Sequence, residues 1–134
     1  MSTAGARLER AALALCGTPF RLRGRDPRHG LDCVGLVAAA LTAIGRRPPP
    51  LPDYALRHHD LAGFAPVLRG CGLRAAAGPV RGGDVLLLRP GPGQLHVGIR
   101  TAGGGLIHAH AALGRVVCEP DRASWPVIEA WRID

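Results

Sequence analysis

The stretch that decides the fold is GLDCVGLVAAAL, residues 30–41. A polar, glycine-containing segment precedes it, and the run that follows Cys33 is apolar on nearly every side. A helix that is apolar all round is buried in the centre of a domain. Because Asp32 is a good N-cap residue, the stretch predicts a buried helix from residue 33 to about residue 44, with Cys33 in its first turn.

Cys33 is the candidate nucleophile. A thiol in the first turn of a helix lies near unpaired backbone N–H groups and the positive end of the helix dipole, and both favour the thiolate. Two histidines follow where a base and its orienting group are expected, His96 in LHVGI and His108 in LIHA. Nucleophile, base and orienting residue in this order predict a cysteine peptidase.

The length and composition predict one globular domain over residues 1–134. A chain of 134 residues, 47% of them apolar, can build one hydrophobic core but not two. No apolar run approaches the roughly 20 residues that a membrane-spanning helix needs. The N-terminal residues also lack the long apolar region and cleavage site of a signal peptide. We therefore expect synthesis in the cytoplasm, with no signal peptide and no membrane span.

The net charge of +7 comes from 17 arginines, without lysine, against 10 acidic residues. Arginines 21, 23, 25 and 28 form a basic cluster before Cys33, which we interpret as a solvated loop rather than an anion site. Binding of nucleic acid would need aromatic residues among the basic ones to stack on bases. With one Tyr, two Phe and two Trp in the chain, we expect no nucleic-acid partner.

The remaining cysteines form no CxxC pair. Cys16, Cys71 and Cys118 are predicted to be reduced and to behave as small buried hydrophobes. A zinc site built from His96, His108, His110 and a cysteine is an alternative, but the histidines lack the usual closing spacing. We therefore expect neither a metal nor another cofactor.

The order of elements predicts an α+β fold. Residues 7–16 form a first helix, residues 20–31 a loop, residues 46–52 a proline-rich linker and residues 54–71 a weakly helical segment. Five short strands follow, at residues 84–89, 95–100, 106–110, 116–118 and 127–133. The prediction is N-terminal helices, including a central nucleophile helix, packed on an antiparallel sheet of about five strands. Asp84 is interpreted as a turn residue.

Five short motifs occur in a fixed order along the chain: GTPF (17–20), GLDCVGLV (30–37), GGDV (82–85), HVGI (96–99) and IHA (107–109). At these motifs, over residues 7–133, the chain resembles the NlpC-type cell-wall cysteine peptidases, which are small papain-like enzymes. The resemblance implies a central nucleophile helix packed on an antiparallel sheet that carries the histidines. It also implies hydrolysis of the bond between D-glutamate and the diamino acid in peptidoglycan stem peptides.

The resemblance also implies roles for individual residues. Cys33 matches the nucleophile, His96 the general base and His108 the third, orienting residue. Asp32 matches an aspartate that in some members binds the free amine of the stem peptide. Since strand alternation puts His108 and His110 on one face, His110 stays open as an alternative third residue.

Two departures from the family pattern bear on substrate recognition. The family often has serine where this chain has Val34, and tyrosine where it has Phe20. An amidase or acyltransferase of the papain-like superfamily therefore stays open, as does a catalytically silent wall-binding protein.

The chain looks most like the branch found in phage tails and phage-derived particles. The sequence features behind this are the residue after Cys33, the short chain and the ending around residues 107–117. The resemblance implies association with tail proteins and action in the periplasm, which would explain export without a signal peptide.

Overall fold

The computed structural model describes residues 3–49, 64–120 and 125–133. The helices described there are α1 (Ala4–Ala14), α2 (Cys33–Ala43) and α3 (Phe64–Gly70). The strands described there are β1 (Arg25–Asp26), β2 (Gly30–Leu31), β3 (Leu73–Ala75), β4 (Val85–Leu88), β5 (His96–Arg100), β6 (Leu106–His110), β7 (Arg115–Glu119) and β8 (Val127–Ile133). Most of the weakly helical segment predicted at 54–71, and the end of the linker, lie outside the described residues.

The strands form a small hairpin, β1–β2, and a six-stranded antiparallel sheet in the order β3-β8-β4-β5-β6-β7. The predicted α+β class is therefore confirmed. The expected count of about five strands was too low because β3 was missed. Only Leu73 of its three residues is buried, so the segment has no apolar alternation from which a strand could be predicted.

Helix α2 lies at the centre of the fold, as predicted. Its N-cap is Asp32, whose side chain accepts the N–H of Gly35 at 2.8 Å. A Cβ at Gly35 would collide with the carbonyl oxygen of Gly24, which explains a glycine inside this helix. The residues of α2 that are buried are Cys33, Val34, Gly35, Leu36, Val37, Ala40 and Leu41.

One face of the sheet and helix α1 share a core with α2. The sheet side chains in this core include Val97, Ile99, Ile107 and Ala109. Because side chains alternate along a strand, the neighbouring residues His96 and His108 belong to the opposite face. That face has a smaller core, formed by Leu86, Leu88 and Leu106 with Trp125 and Ala130 packed against it.

Two boundaries predicted from the sequence were wrong. Helix α1 begins at Ala4 rather than residue 7, because Thr3 caps it by accepting the N–H of Ala6 at 3.0 Å. The predicted loop at 20–31 contains the hairpin β1–β2, whose strands of two residues each are too short to show a pattern.

Asp84 is more than the turn residue it was interpreted to be. It is 1% exposed and accepts Nε and Nη2 of Arg132 at 3.0 and 2.9 Å, besides the backbone N–H of Arg81. The prediction was incomplete because the guanidinium that satisfies Asp84 lies 48 residues away in the sequence. This ion pair joins the turn before β4 to strand β8.

The cysteines do not all behave as predicted. Cys71 is buried, but Cys16 and Cys118 are exposed. Cys16 follows the end of α1, and Cys118 lies on the outermost strand of the sheet, so neither is covered by a second layer. No helix in the described parts of the chain is long and apolar enough to cross a membrane.

We predict that Asp84→Asn lowers the free energy of unfolding by about 3 kcal/mol or more, because it breaks a buried ion pair. The matched control is Asp26→Asn, which removes an ion pair with the 84% exposed side chain of Arg28. That control should leave the urea midpoint nearly unchanged. Equal midpoints for the two variants would show that the Asp84 pair does not stabilise the fold.

Candidate active site

The structure places Cys33 beside the strand that begins with His96, and it pairs His96 with His108. Cys33 is the first residue of α2 and is 2% exposed. His96 is the first residue of β5 and His108 lies in β6. The backbone N–H of Val97, directly after His96, points at the Cys33 sulfur. The nucleophile helix therefore meets the sheet where His96 begins its strand.

The two histidines form a hydrogen-bonded pair. Nε2 of His96 lies 2.9 Å from Nδ1 of His108, and the ring planes are nearly perpendicular, at 87°. Nδ1 of His110, the alternative third residue, accepts the N–H of Leu113 at 3.1 Å. Of the two candidates, His108 is thus the one at hydrogen-bond distance from His96.

Two further residues belong to the site and were missed in the sequence. Oε1 of Glu119 lies 2.7 Å from Nε2 of His108. The ring of Trp125 meets both imidazoles edge to face, with centroids 5.7 Å from His96 and 5.5 Å from His108.

Strand pairing could have revealed Glu119. It pairs with Leu106, so it shares a face with His108 and lies diagonally across from it. The predicted strand at 116–118 ended one residue too early to include it. For Trp125, which precedes β8 and lies outside every strand, the sequence holds no comparable signal.

The electrostatics of the site differ from the sequence prediction. Burial, and then the charge of Asp32, raise the pKa of the Cys33 thiol to about 12, although the N–H groups of Val97 and Val34 oppose this. Burial, and then the charges of His108 and His110, lower the pKa of His96 to about 3. The expected thiolate was wrong because loss of hydration outweighs the field of the helix terminus. The resting site holds a neutral thiol and a neutral imidazole.

Asp32 is occupied by neighbouring groups of the protein. Its carboxylate, 3% exposed, accepts the N–H of Arg23 at 2.9 Å and Nη1 of Arg25 at 2.7 Å, in addition to the Gly35 cap. The basic cluster is therefore not simply a solvated loop, since Arg25 neutralises a buried carboxylate at the start of α2.

A groove of about 280 Å³ runs beside His96 and is mainly apolar. Its lining residues are Phe20, Pro90, Gln94, Leu95, His96, Ala109 and Ala111. An extended peptide could therefore lie next to the imidazole. The side chain of Val34 is fully buried in the core, so this position does not reach the groove surface.

The histidines do not form a metal centre in the described parts of the chain. Within residues 3–49, 64–120 and 125–133, no group of three or more His, Cys, Asp or Glu side chains is arranged to hold a metal ion. Nε2 of His96 and both ring nitrogens of His108 are directed at one another and at Glu119 instead.

A model of the NlpC/P60 family matches residues 17–127, which include Cys33 and both paired histidines. This chain belongs to the NlpC/P60 family. Proteins of the NlpC/P60 family are generally cysteine peptidases that hydrolyse peptidoglycan, so the resemblance found in the five motifs is confirmed at the level of the family.

Relatives and solved structures agree with this assignment. Protein P54 of Enterococcus faecium is 28% identical over 108 residues, which are 81% of this chain but 18% of that protein. The chain therefore spans less than a fifth of this relative. The NlpC/p60 domain of the peptidoglycan hydrolase SagA has a TM-score of 0.67 and 24% identity, covering 98% of this chain and 100% of that domain. NlpC1 from Trichomonas vaginalis has a TM-score of 0.67 and 21% identity, over 98% of this chain and 46% of that one. At these identities the two solved structures establish the fold.

We predict that Cys33 gives no thiolate absorbance in the ultraviolet below about pH 10, since its pKa is raised to about 12. The measurement compares Cys16→Ser/Cys118→Ser with the same variant carrying Cys33→Ser, so the difference spectrum reports Cys33 alone. A thiolate signal that titrates below about pH 7 would instead demonstrate a preformed thiolate–imidazolium pair.

We also predict that acid destabilises the protein through His96. Its pKa falls from 6.5 to about 3 on folding, so the unfolded chain binds the proton first as the pH drops. Relative to His96→Gln, the wild-type protein should lose up to about 1.4 kcal/mol of unfolding free energy per pH unit across this window. Urea unfolding at several pH values tests this, and parallel pH curves for the two proteins would contradict it.

Proposed function

We propose that this protein is a cysteine endopeptidase that hydrolyses peptidoglycan stem peptides. Cys33 is the nucleophile, His96 the general base and His108 the residue that orients His96. The observation that carries the proposal has two parts: the backbone N–H of Val97 bonds the Cys33 sulfur, and the residue before Val97, His96, pairs with His108 at 2.9 Å beside an open groove.

The neutral resting site sets the order of events in this reaction. His96 takes the thiol proton at Nδ1 while the Cys33 sulfur attacks the amide carbon, so proton transfer accompanies attack. The tetrahedral intermediate collapses when the imidazolium gives that proton to the leaving amine, which leaves an acyl thioester on Cys33. Water, deprotonated by His96, then hydrolyses the thioester and restores the thiol.

Backbone N–H groups in the first turn of α2 would stabilise the oxyanion of the intermediate. Backbone N–H groups at this end of a helix point towards its N-terminus, where Cys33 lies. The N–H of Val34 already faces the Cys33 sulfur, whereas that of Gly35 is bonded to the Asp32 side chain. The Asp32 cap holds this turn in place through Gly35, so the donors are ordered before substrate binds.

The finer substrate proposal is the bond between D-glutamate and the diamino acid, as the resemblance implies. The proposed role of Asp32 as the ligand of a stem-peptide amine carries a physical condition. Its carboxylate is paired with Arg25, whose side chain is 31% exposed. A substrate amine reaches Asp32 only if the Arg25 side chain moves aside.

An amidase or acyltransferase on another substrate is the second candidate function. Phe20 in the groove offers no hydroxyl to a polar stem peptide, and Val34 is buried in the core. The third candidate, a silent wall-binding protein, is favoured by the 2% exposure of Cys33 and its raised pKa. Association with tail proteins and action in the periplasm remain predictions from the sequence.

The test is mass spectrometry of defined muropeptides incubated with the wild-type protein, Cys33→Ala and Cys118→Ala. We predict cleavage after D-glutamate by the wild-type protein and a loss of about 10⁴-fold or more in Cys33→Ala, because the nucleophile is removed. Cys118→Ala, which removes an exposed thiol, should keep full activity.

The panel also separates the alternatives. Stem peptides with free and acetylated amino termini report whether Asp32 selects an amine, and ester substrates with an added amine acceptor report acyl transfer. No cleavage by folded wild-type protein, together with sedimentation on purified peptidoglycan, would replace the peptidase proposal with wall binding.

A further inference from the structure

Glu119 lies behind the histidine pair, at the end of strand β7. Its Oε1 is 2.7 Å from Nε2 of His108 and 3.8 Å from Nε2 of His110. Its side chain is 19% exposed, whereas that of His108 is 1% exposed. A carboxylate at this position is close enough to control the proton arrangement of a histidine that water hardly reaches.

We propose that Glu119 is a positioning residue that fixes the tautomers of His108 and His96, an inference that rests on the proposed peptidase function. The argument follows from the chemistry of imidazole. A neutral imidazole carries one N–H donor and one acceptor nitrogen, so fixing one nitrogen of the ring fixes the other.

The contacts pass this constraint along the site. An ionised Glu119 only accepts hydrogen bonds, so neutral His108 must carry its proton on Nε2. Nδ1 of His108 is then an acceptor, and the 2.9 Å contact requires Nε2 of His96 to be the donor. Nδ1 of His96 is left with a lone pair, which is the state that a general base for Cys33 needs.

His110 supports the same arrangement from the other side. Because its Nδ1 accepts the N–H of Leu113, its proton in the neutral form lies on Nε2, which faces Glu119 at 3.8 Å. The carboxylate of Glu119 is therefore at hydrogen-bond distance from His108, at 2.7 Å, and has a second ring nitrogen 3.8 Å away, beyond that distance. This assigns His110, the alternative third residue, to the support of Glu119 rather than to contact with His96.

Glu119 would also act after proton transfer. Once His96 has accepted the thiol proton, it is a partly buried cation whose Nε2–H still faces His108. The negative charge of Glu119, transmitted through the polarised His108 ring, stabilises that cation. The proton itself remains on His96 until the leaving amine takes it, so Glu119 is not protonated in the reaction.

Glu119→Gln is the decisive variant because it keeps the shape and removes the charge. A glutamine can turn its NH₂ group towards Nε2 of His108, which moves the His108 proton to Nδ1 and reverses the donor direction towards His96. We expect kcat to fall by about 10²–10⁴-fold with KM nearly unchanged, and Glu119→Asp to recover part of the loss.

Glu129→Gln is the matched control. Glu129 lies on β8 of the same sheet and accepts Nε1–H of Trp131 at 3.0 Å, so the same substitution removes a carboxylate from a ring N–H donor outside the histidine pair. The proposal requires this variant to keep wild-type kcat. If Glu129→Gln lost as much kcat as Glu119→Gln, the proposal would be overturned, because the loss would then come from a general disturbance of the sheet.

A measurement without substrate separates this inference from the peptidase proposal. Nitrogen-15 NMR of the imidazoles distinguishes protonated from bare ring nitrogens, and His96→Gln and His108→Gln assign the signals. We expect His108 protonated at Nε2 in the wild-type protein and at Nδ1 in Glu119→Gln. Identical tautomers in the two proteins overturn the role of Glu119, whatever the activity. A tautomer switch in a protein that cleaves no muropeptide supports that role and rejects the peptidase proposal instead.

Discussion

The buried carboxylate of Asp32 is the constraint on which the rest of the site depends. It caps α2 through Gly35 and holds the preceding hairpin through the backbone of Arg23 and the guanidinium of Arg25. One group thereby fixes the first turn of the helix and the position of the sulfur next to it. Burial, and after it the same charge, raise the pKa of Cys33, so the group that places the nucleophile also helps to keep it protonated. In this site, the carboxylate that fixes the position of the Cys33 sulfur also makes the thiol a weaker acid.

Loss of hydration keeps the site neutral at rest, although His96, unlike the buried Cys33, is only partly buried and lines the groove. Cys33 lies beneath the junction of α2 and β5, and Trp125 packs edge to face on both imidazoles. In such surroundings an ion pair costs more desolvation than its attraction returns, unless further donors satisfy it. The reactivity of Cys33 would then depend on which ring nitrogen of His96 carries the proton. The hydrogen bonds that join His96, His108 and Glu119 on the sheet determine this.

The sequence predicted the parts of the molecule that depend on neighbours along the chain. Helix α2 and its Asp32 cap, and strands β6 and β8 with their bounds, follow from local pattern and capping chemistry. What it missed depends on distant neighbours. Asp84 forms an ion pair with Arg132, which is 48 residues away in the sequence, and Glu119 bonds to His108 on the neighbouring strand. The raised pKa of Cys33 depends mainly on burial, which exists only once the core has formed. His108 and His110 share a face of β6, so the sequence could not show which of them contacts His96. That depends on how β5, β6 and β7 lie relative to one another.

The segment after α1 has a consequence for how copies of this chain meet. It lies along the outer side of β7, with Pro19 bridged to Arg115, and its N–H and carbonyl groups bond to Gly114 and Val116. A bare outer strand is a template on which another polypeptide can add and begin aggregation. Here this part of the strand is already covered, and a proline, which has no N–H to offer, stands at the bridge. The loop that lines the groove with Phe20 therefore also protects this edge of the sheet against self-association.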